Sequence, residues 1–258
     1  MVASKSPLIR CTVGLVIVGL AACGGGEQVV EGDCQTVFES DLCTWGTMTG
    51  GNVTAFGATV PVAFVENAPV DGEMVFPPPF VAVVALPEEV QAATGFDHLG
   101  VNWELFGHPP ETWLTPHFDF HFYTITPGSV QAIDCSNLNK PAELPAEYAL
   151  PDLEIPEMGL TLVGACVPTM GMHSAKVSEV AVTDPFETSM LVGYYEEDLI
   201  FLEPMIAKAK LLLEESFPMQ VPAVPNAAAN VKWPTTFEAV YDAESRSYRF
   251  VFSGFSTD

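Results

Sequence analysis

The chain has 258 residues, 48% of them hydrophobic, which is enough apolar surface for one sizeable core and excludes intrinsic disorder. Thirty-three acidic residues against nine basic ones give a formal net charge of −24, so the chain would be repelled by anionic lipid surfaces and by phosphate backbones, and nucleic acid is excluded as a partner. The 22 prolines, spread along the chain, argue against a helical bundle.

The N-terminus has the pattern of an export signal. The first twenty residues begin with two bases and no acid and continue as an apolar stretch too short to span a membrane comfortably. Residues 20–23 (LAAC) resemble the lipobox of bacterial lipoproteins, in which the cysteine thiol receives a diacylglyceryl group. This predicts a lipoprotein signal peptide at 1–22 and a lipid on Cys23 that anchors the protein to the membrane of the bacterial cell envelope, at the outer membrane or cell surface. The alternative is an ordinary secretory signal cleaved before an unmodified cysteine.

Four cysteines follow Cys23, namely Cys34, Cys43, Cys135 and Cys166. An even number in an exported chain indicates disulfides, because compartments outside the cytoplasm are oxidising. Three pairings are possible, and closeness in sequence favours Cys34 with Cys43 and Cys135 with Cys166. A thiolate metal site is the alternative, but the chain has no C-x-x-C spacing.

No change of composition divides the chain after residue 50. We therefore expect three parts: the signal peptide, a tether with a small disulfide loop at 23–50, and one β-rich domain at 51–258. Short β-branched and aromatic runs bounded by turn-forming residues predict strands. The predicted strands are 53–56, 60–65, 74–76, 80–85, 113–126, 160–167, 177–182, 190–195 and a C-terminal hairpin of 236–241 with 248–252.

Two helices are predicted as well. The proline and acids at 87–93 are typical of the start of a short helix. A longer amphipathic helix is expected from Glu203 to about Phe217, because Met205 and the apolar residues that follow it fall at helical spacing. The fold class is therefore mainly β, or β-rich α+β: a single domain of antiparallel sheet with one short helix and one amphipathic helix in the C-terminal half.

The histidines are concentrated in one part of the chain. All five fall within less than a third of it, and residues 116–123 have the sequence PHFDFHFY. On a strand, alternate side chains share a face, so His117, Asp119 and His121 would project to one side and the phenylalanines to the other. His117 and His121 would lie about 13 Å apart, too far for one ion, so a single metal is expected to bind Asp119 with one of the two histidines.

Two further histidines are candidates for the same kind of site. His108 lies in a turn rich in glycine and proline, and His173 follows Met170 and Met172 in a loop. Imidazole and carboxylate ligands suit zinc, manganese or iron, and the two methionines leave copper open. The alternative is structural, with the polar side chains either hydrogen-bonded in the core or solvated on a sheet face.

These blocks together resemble a known family. Its members are secreted bacterial proteins classed only as a domain of unknown function, and the blocks follow one another here in the same order: 107–110 (GHPP), 116–123, 170–173 (MGMH) and 201–205 (FLEPM). The resemblance runs from about residue 50 to the C-terminus. It implies a single β-rich domain that can assemble into a homo-oligomer, with no activity to carry over. The chain departs from the family pattern after the M-G-x-H histidine, where a serine and a lysine replace an aromatic residue and an acid.

Signature motifs of several enzyme classes are absent from the sequence. It has no G-x-S-x-G, H-E-x-x-H, G-x-G-x-x-G or G-x-x-x-x-G-K-[ST], the motifs of serine hydrolases, zincins, dinucleotide enzymes and P-loop enzymes. The leading hypothesis is a cell-envelope lipoprotein whose His/Asp cluster binds a divalent metal or a small polar ligand through His108, His117, Asp119, His121 and His173. The alternatives are a structural or oligomeric envelope protein without metal, and a metal-dependent hydrolase or oxidoreductase.

Overall fold

The computed structural model describes residues 26–225 and 227–255, and antiparallel strands dominate it, as the sequence predicts. The signal peptide at 1–22 and the lipidation site Cys23 lie outside the described residues. The strands are β1 (Gln28–Val37), β2 (Ser40–Thr49), β3 (Asn52–Pro61), β4 (Phe80–Ala85), β5 (His98–Glu104), β6 (His117–Tyr123), β7 (Tyr148–Ala149), β8 (Leu153–Ile155), β9 (Leu160–Leu162), β10 (Met172–Lys176), β11 (Thr188–Tyr195), β12 (Asp198–Ala207), β13 (Phe217–Gln220), β14 (Thr236–Asp242) and β15 (Ser247–Ser253). The helices are short: α1 (Val62–Glu66), α2 (Glu88–Thr94), α3 (Pro127–Gln131), α4 (Val177–Val180) and α5 (Lys208–Leu211).

The strands form two large sheets. One has six strands in the order β1-β2-β3-β15-β14-β13, and the other has seven in the order β4-β5-β6-β12-β11-β10-β7. Strands β8 and β9 form a separate two-stranded ribbon. Neighbours in each sheet run antiparallel, so a sheet can bury one face in a core and turn the other face elsewhere.

The two large sheets pack face to face on a core of aromatic side chains. Phe120 of β6 meets Phe250 of β15 with ring centroids 4.9 Å apart, and Phe122 meets Phe252 at the same distance. All four rings are fully buried, and each such side chain stabilises the fold by about 1.5–3 kcal/mol through removal from water. One face of the seven-stranded sheet is therefore committed to this core, and its other face carries the polar residues described below.

The predicted amphipathic helix from Glu203 to Phe217 is wrong in most of its length. Met205 and Ile206 belong to β12, which continues to Ala207, and only Lys208–Leu211 is helical. Strand β12 lies between β6 and β11 and is buried on both faces, so its near-continuous apolar run satisfies a helical spacing by coincidence. Pro204 adds to the ambiguity, because a proline in a central strand cannot donate a ladder hydrogen bond and more commonly opens a helix.

Other boundaries also differ from the predictions. The segment 23–50 forms, from residue 28 onward, two strands of the six-stranded sheet, so it is part of the folded domain instead of a tether. Strand β3 ends at Pro61 and α1 takes over the rest of 60–65. Residues 74–76 have no strand, and 177–182 begins with α4. The short helix near 87–93 and the C-terminal hairpin are confirmed as α2 and β14–β15.

Both predicted disulfides are present. Cys34 and Cys43 face each other across β1 and β2, and Cys135 is bonded to Cys166 across 31 residues of chain. The two disulfides are consistent with an exported protein, since such bonds persist in oxidising compartments. Within 26–225 and 227–255 no helix has the length and apolarity needed to cross a bilayer.

Candidate metal centre

Strand β6 positions the central polar side chains. It lies between β5 and β12 near the middle of the seven-stranded sheet. Its phenylalanines point into the sandwich core, so His117, Asp119 and His121 project from the opposite face, as the alternation predicts. These three side chains are also buried, with exposed fractions of 0%, 5% and 1%. The face away from the sandwich core is therefore covered and holds charged and polar groups out of water.

Neighbouring strands bring further ligand-type residues to this face. Glu104 of β5 pairs with His117. On the other side, Leu202 pairs with Phe122 and Met205 with Asp119, a register that puts Glu203 opposite His121. His173 enters from β10, two strands beyond β12.

The polar residues separate into two groups. We call His108, His117 and Asp119 the His117 site, and His121, His173 and Glu203 the His121 site. Within each group every residue offers a ligand atom that lies within 4.8 Å of the other two. Each site thus has two imidazoles and one carboxylate, a donor set that could hold a metal ion.

Distances within the His121 site are close to the ligand spacing of a tetrahedral ion. His121 Nε2 lies 3.3 Å from His173 Nε2, and Glu203 Oε2 lies 3.6 Å and 3.9 Å from these two nitrogens. Ligands at about 2.0–2.1 Å from a tetrahedral zinc ion are separated by roughly 3.3–3.4 Å. An ion can therefore sit between the three atoms after shifts of a few tenths of an ångström.

The His117 site is arranged in a similar way around one carboxylate. His117 Nε2 lies 3.2 Å from Asp119 Oδ1, and His108 Nε2 lies 3.9 Å from Asp119 Oδ2. The two imidazole rings meet edge to face with centroids 4.8 Å apart. Asp119 stands between the two histidines, so its two oxygens can serve one ion together or bind through one oxygen only.

Hydrogen bonds fix the tautomer of three of the histidines. The Nδ1 atoms of His117, His108 and His173 bond to the carbonyl oxygens of Thr115, Pro109 and Ala165 at 2.7 Å, 2.9 Å and 3.0 Å. A carbonyl oxygen can only accept, so each Nδ1 carries a proton. In the neutral ring the lone pair is then on Nε2, the atom that faces the site. This is the orientation that metal-binding histidines take when a backbone carbonyl accepts a hydrogen bond from Nδ1.

Several buried polar atoms of these sites have no hydrogen-bond partner. Among the described residues nine buried side-chain nitrogen or oxygen atoms lack one, and five of the nine belong to the two sites or to Glu104 beside them. An unpartnered buried polar atom costs about 1–3 kcal/mol, so such a concentration needs a compensating interaction. Metal ions at the two sites would supply it for three of them, His117 Nε2, Asp119 Oδ1 and Glu203 Oε2. The five atoms are Glu104 Oε1, His117 Nε2, Asp119 Oδ1, His121 Nδ1 and Glu203 Oε2.

Burial also lowers the pKa values of two of the site histidines. Burial, with His173 nearby, lowers the pKa of His121 to about 3, and burial together with His117 lowers that of His108 to about 4. Both rings are therefore neutral at pH 7, the form that binds metal.

The pKa values of the buried carboxyl groups shift in opposite directions. Burial raises the pKa of Glu203 well above its usual range and, with the Asp119 charge nearby, raises that of Glu104 to about 8. Burial also opposes ionisation of Asp119 and His117, but their mutual attraction prevails, lowering the pKa of Asp119 to about 2 and raising that of His117. In the metal-free protein the His117 site is thus an ion pair, whereas Glu203 is neutral.

Both sites open into one cavity of about 460 Å³. Its polar lining consists of Glu104, His108, Asp119, His173 and Glu203, and its other lining residues are apolar or glycine. Loops before β4, between β5 and β6, and around β8 and β9 provide most of these apolar walls. A small molecule in this cavity would touch the ligand atoms of both sites.

The structure brings all five predicted site residues to this cavity region but divides them between two sites. Asp119 does join with only one of the β6 histidines, His117, as expected from the length of the strand. Met172 is buried in the sandwich core, and Met170 lines the cavity. His98 lies apart, stacked on Tyr123 and bonded to Asp97.

Sequence analysis missed Glu203 as a ligand. It stood inside the FLEPM block and within the predicted helix, and its place on the polar face follows only from the pairing of β12 with β6. Glu104 was absent from the predicted metal ligands, and its pairing with His117 follows once β5 and β6 are known to be neighbours. No protein-family model, no curated protein and no solved structure matches this chain, so the family resemblance stays a prediction.

Proposed function

We propose that this protein is an envelope lipoprotein that binds divalent transition metal ions, zinc above all, at the His117 site and the His121 site. The observation that carries the proposal is the His121 site, where three buried ligand atoms from β6, β10 and β12 converge at 3.3–3.9 Å. Its ligands come from three different strands of one rigid sheet, which holds them in place before any ion arrives.

Zinc is preferred because of the donor set and the spacing. Two imidazoles and a carboxylate suit zinc, iron and manganese, and the ligand set of neither site includes a cysteine thiolate of the kind that favours copper(I). Octahedral ions with bonds near 2.1 Å need neighbouring ligands about 3.0 Å apart, closer than any of the three distances in the His121 site. The tetrahedral spacing fits better.

Elemental analysis of purified mature protein tests the proposal. We expect close to two equivalents of metal in the wild type, and about one each in His117→Gln and His121→Gln. His98→Gln is the matched control, because His98 is also a buried histidine of the same sheet but belongs to neither site. It should retain both equivalents. Less than a tenth of an equivalent in zinc-equilibrated wild type would rule the proposal out.

Metal-dependent hydrolysis is a second candidate function. Structural zinc sites have four protein ligands, whereas each group here has three and faces a cavity, as catalytic zinc sites do. Glu104 lies beside the His117 site as a candidate general base that is not one of the three ligands. Zinc-loaded protein should then hydrolyse p-nitrophenyl acetate, and Glu104→Gln should lower kcat at unchanged zinc content. Equal rates for both proteins and for free zinc would leave only the binding function.

The lipid anchor rests on the LAAC sequence at 20–23 and on the three glycines that follow it, which supply a flexible connection. Mass spectrometry of the membrane fraction should find a diacylated N-terminal Cys23, and Cys23→Ser should release the protein from membranes. An unmodified Cys23 in the wild type would leave a secreted protein without an anchor.

A further inference from the structure

The cavity has a polar floor and apolar walls. Its floor consists of Glu104, His108, Asp119, His173 and Glu203. All of its polar lining residues belong to the two metal sites or are Glu104, and none is a lysine or arginine. The remaining walls are apolar side chains from several separate loops. At about 460 Å³ the cavity falls within the roughly 300–1,000 Å³ typical of small-molecule sites, which are likewise mostly apolar with a few placed polar groups.

Exposed apolar side chains gather at this same place. Fourteen large hydrophobic side chains are exposed among the described residues, and five of them line the cavity: Met74, Val75, Phe106, Leu114 and Met158, at 61%, 59%, 49%, 56% and 43% exposure. They come from three segments that are far apart in sequence. Apolar surface that converges from separate segments on one cavity marks a binding site for an apolar group.

The floor determines what the polar end of such a ligand must be. Three protein ligands leave the fourth position of a tetrahedral ion open to the cavity. An anionic oxygen is the natural fourth ligand for zinc. No lysine or arginine lines the cavity, burial lowers the pKa values of the two lining histidines, His108 and His173, and three carboxyl groups are present, so a bound metal is what can attract an anion there.

We propose that the cavity binds a medium-chain amphiphile, with a carboxylate-type head on the metal and its hydrocarbon chain along the apolar walls. This inference rests on the proposed metal-binding function. It adds the ligand class, which the two metal sites alone do not specify, because a small hydrophilic anion could equally complete the metal's coordination. The apolar walls are what select a chain of several carbons.

Calorimetric titration of zinc-loaded protein with octanoate tests the inference, with acetate as the matched short ligand. Each buried methylene contributes about 0.8 kcal/mol, or roughly fourfold in Kd. Burial of only three of the six added methylenes then makes octanoate about sixty-fold tighter than acetate. Removal of zinc with EDTA should weaken octanoate at least tenfold, because the head group loses its only cationic partner.

A pair of surface variants separates the walls from the metal. Leu114→Gln should weaken octanoate about fivefold and leave acetate unchanged. Leu213→Gln is the matched control, since Leu213 is 54% exposed, nearly the same as Leu114, but does not line the cavity. Both positions are exposed, so neither change should impair folding. Zinc content is measured on every sample to separate this inference from the proposed function.

Three results would overturn the inference. Normal zinc content with equal affinity for octanoate and acetate would remove the amphiphile and leave the metal sites standing. Octanoate binding that is the same with and without zinc would show an apolar cavity that does not use a metal-bound head group. Zinc content below a tenth of an equivalent would remove the proposed function itself, and this inference with it.

Discussion

Replacement of Glu203 by glutamine isolates the metal-binding role of the His121 site from its role in packing. Glu203 is 1% exposed, and burial raises its pKa well above the usual range, so the side chain is neutral in the metal-free protein at pH 7. Glutamine has nearly the same shape and is also neutral. The variant should therefore fold with a stability within about 1 kcal/mol of the wild type when no metal is present. It removes only the anionic ligand.

The expected magnitude follows from linkage. A ligand present at 100 times its Kd stabilises the folded state by about 2.7 kcal/mol. If loss of the carboxylate weakens zinc binding a hundredfold, the same zinc concentration stabilises Glu203→Gln by only about 0.4 kcal/mol. For a domain of this size 1 kcal/mol shifts Tm by about 2–4 °C. Zinc at the His121 site should therefore raise Tm by about 5–11 °C in the wild type and by about 1–2 °C in the variant.

Thermal unfolding followed by near-ultraviolet circular dichroism, in EDTA and at a fixed free zinc concentration, measures both quantities. His98→Gln serves again as the control and should show the wild-type response to zinc. If Glu203→Gln already melted far below the wild type in EDTA, Glu203 would be an essential partner in a hydrogen-bonded core. If zinc raised Tm equally in both proteins, Glu203 would not be a ligand.

Three other predictions follow from the same structure. Each bound ion should release about one proton at pH 7, from Glu203 in one site and from His117 in the other. Because both pKa values are raised, the affinity for zinc should increase with pH up to those values, and calorimetry in buffers of different ionisation enthalpy measures the proton release. The double variant Cys135→Ala with Cys166→Ala should have a free energy of unfolding about 3–4 kcal/mol lower in denaturant, since the disulfide closes a loop across 31 residues of chain. It should also weaken zinc binding at the His121 site, because the carbonyl of Ala165, next to Cys166, orients His173. Phe120→Ala should lower the free energy of unfolding, measured in urea, by about 3–5 kcal/mol, whereas Val240→Ala, at an exposed position, should lower it by less than about 0.5 kcal/mol.

The sequence predicted strands well where one face of a strand is polar. Strand β6 alternates strictly between phenylalanines and polar residues, and the C-terminal hairpin has turn residues at 242–247 between two alternating runs. Strand β12 gave the opposite result, because both of its faces are buried and its apolar run has no alternation to detect. Burial on both faces is a property of the assembled sheet, and no local pattern in Asp198–Ala207 reports it.

Prediction of the site residues from the sequence was limited for the same reason. Residue types and spacing on β6 identified His117, Asp119 and His121 and even the separation of the two histidines. The division into two sites depends on which strands lie beside β6, and that order is set by long-range pairing. Glu203 enters through the pairing of β12 with β6, some 80 residues apart in sequence. A carboxylate that becomes a ligand only through sheet register cannot be found from its own neighbours in the chain.

Charge balance connects the two sites with the cavity above them. Two divalent ions would bring four positive charges to a floor whose carboxylates Asp119, Glu203 and Glu104 can supply three negative ones. The histidines are neutral as ligands, so the doubly loaded floor carries a net charge of about +1 under apolar walls. An uncompensated charge in such a place is costly, and a single anionic head group would neutralise it. With one ion instead of two, the empty site keeps its own proton, on Glu203 or on His117, so the net charge on the same count falls to about 0 and attracts the head group less strongly. Double metal occupancy therefore favours binding of a carboxylate amphiphile, and a protein that held only one ion should bind octanoate more weakly.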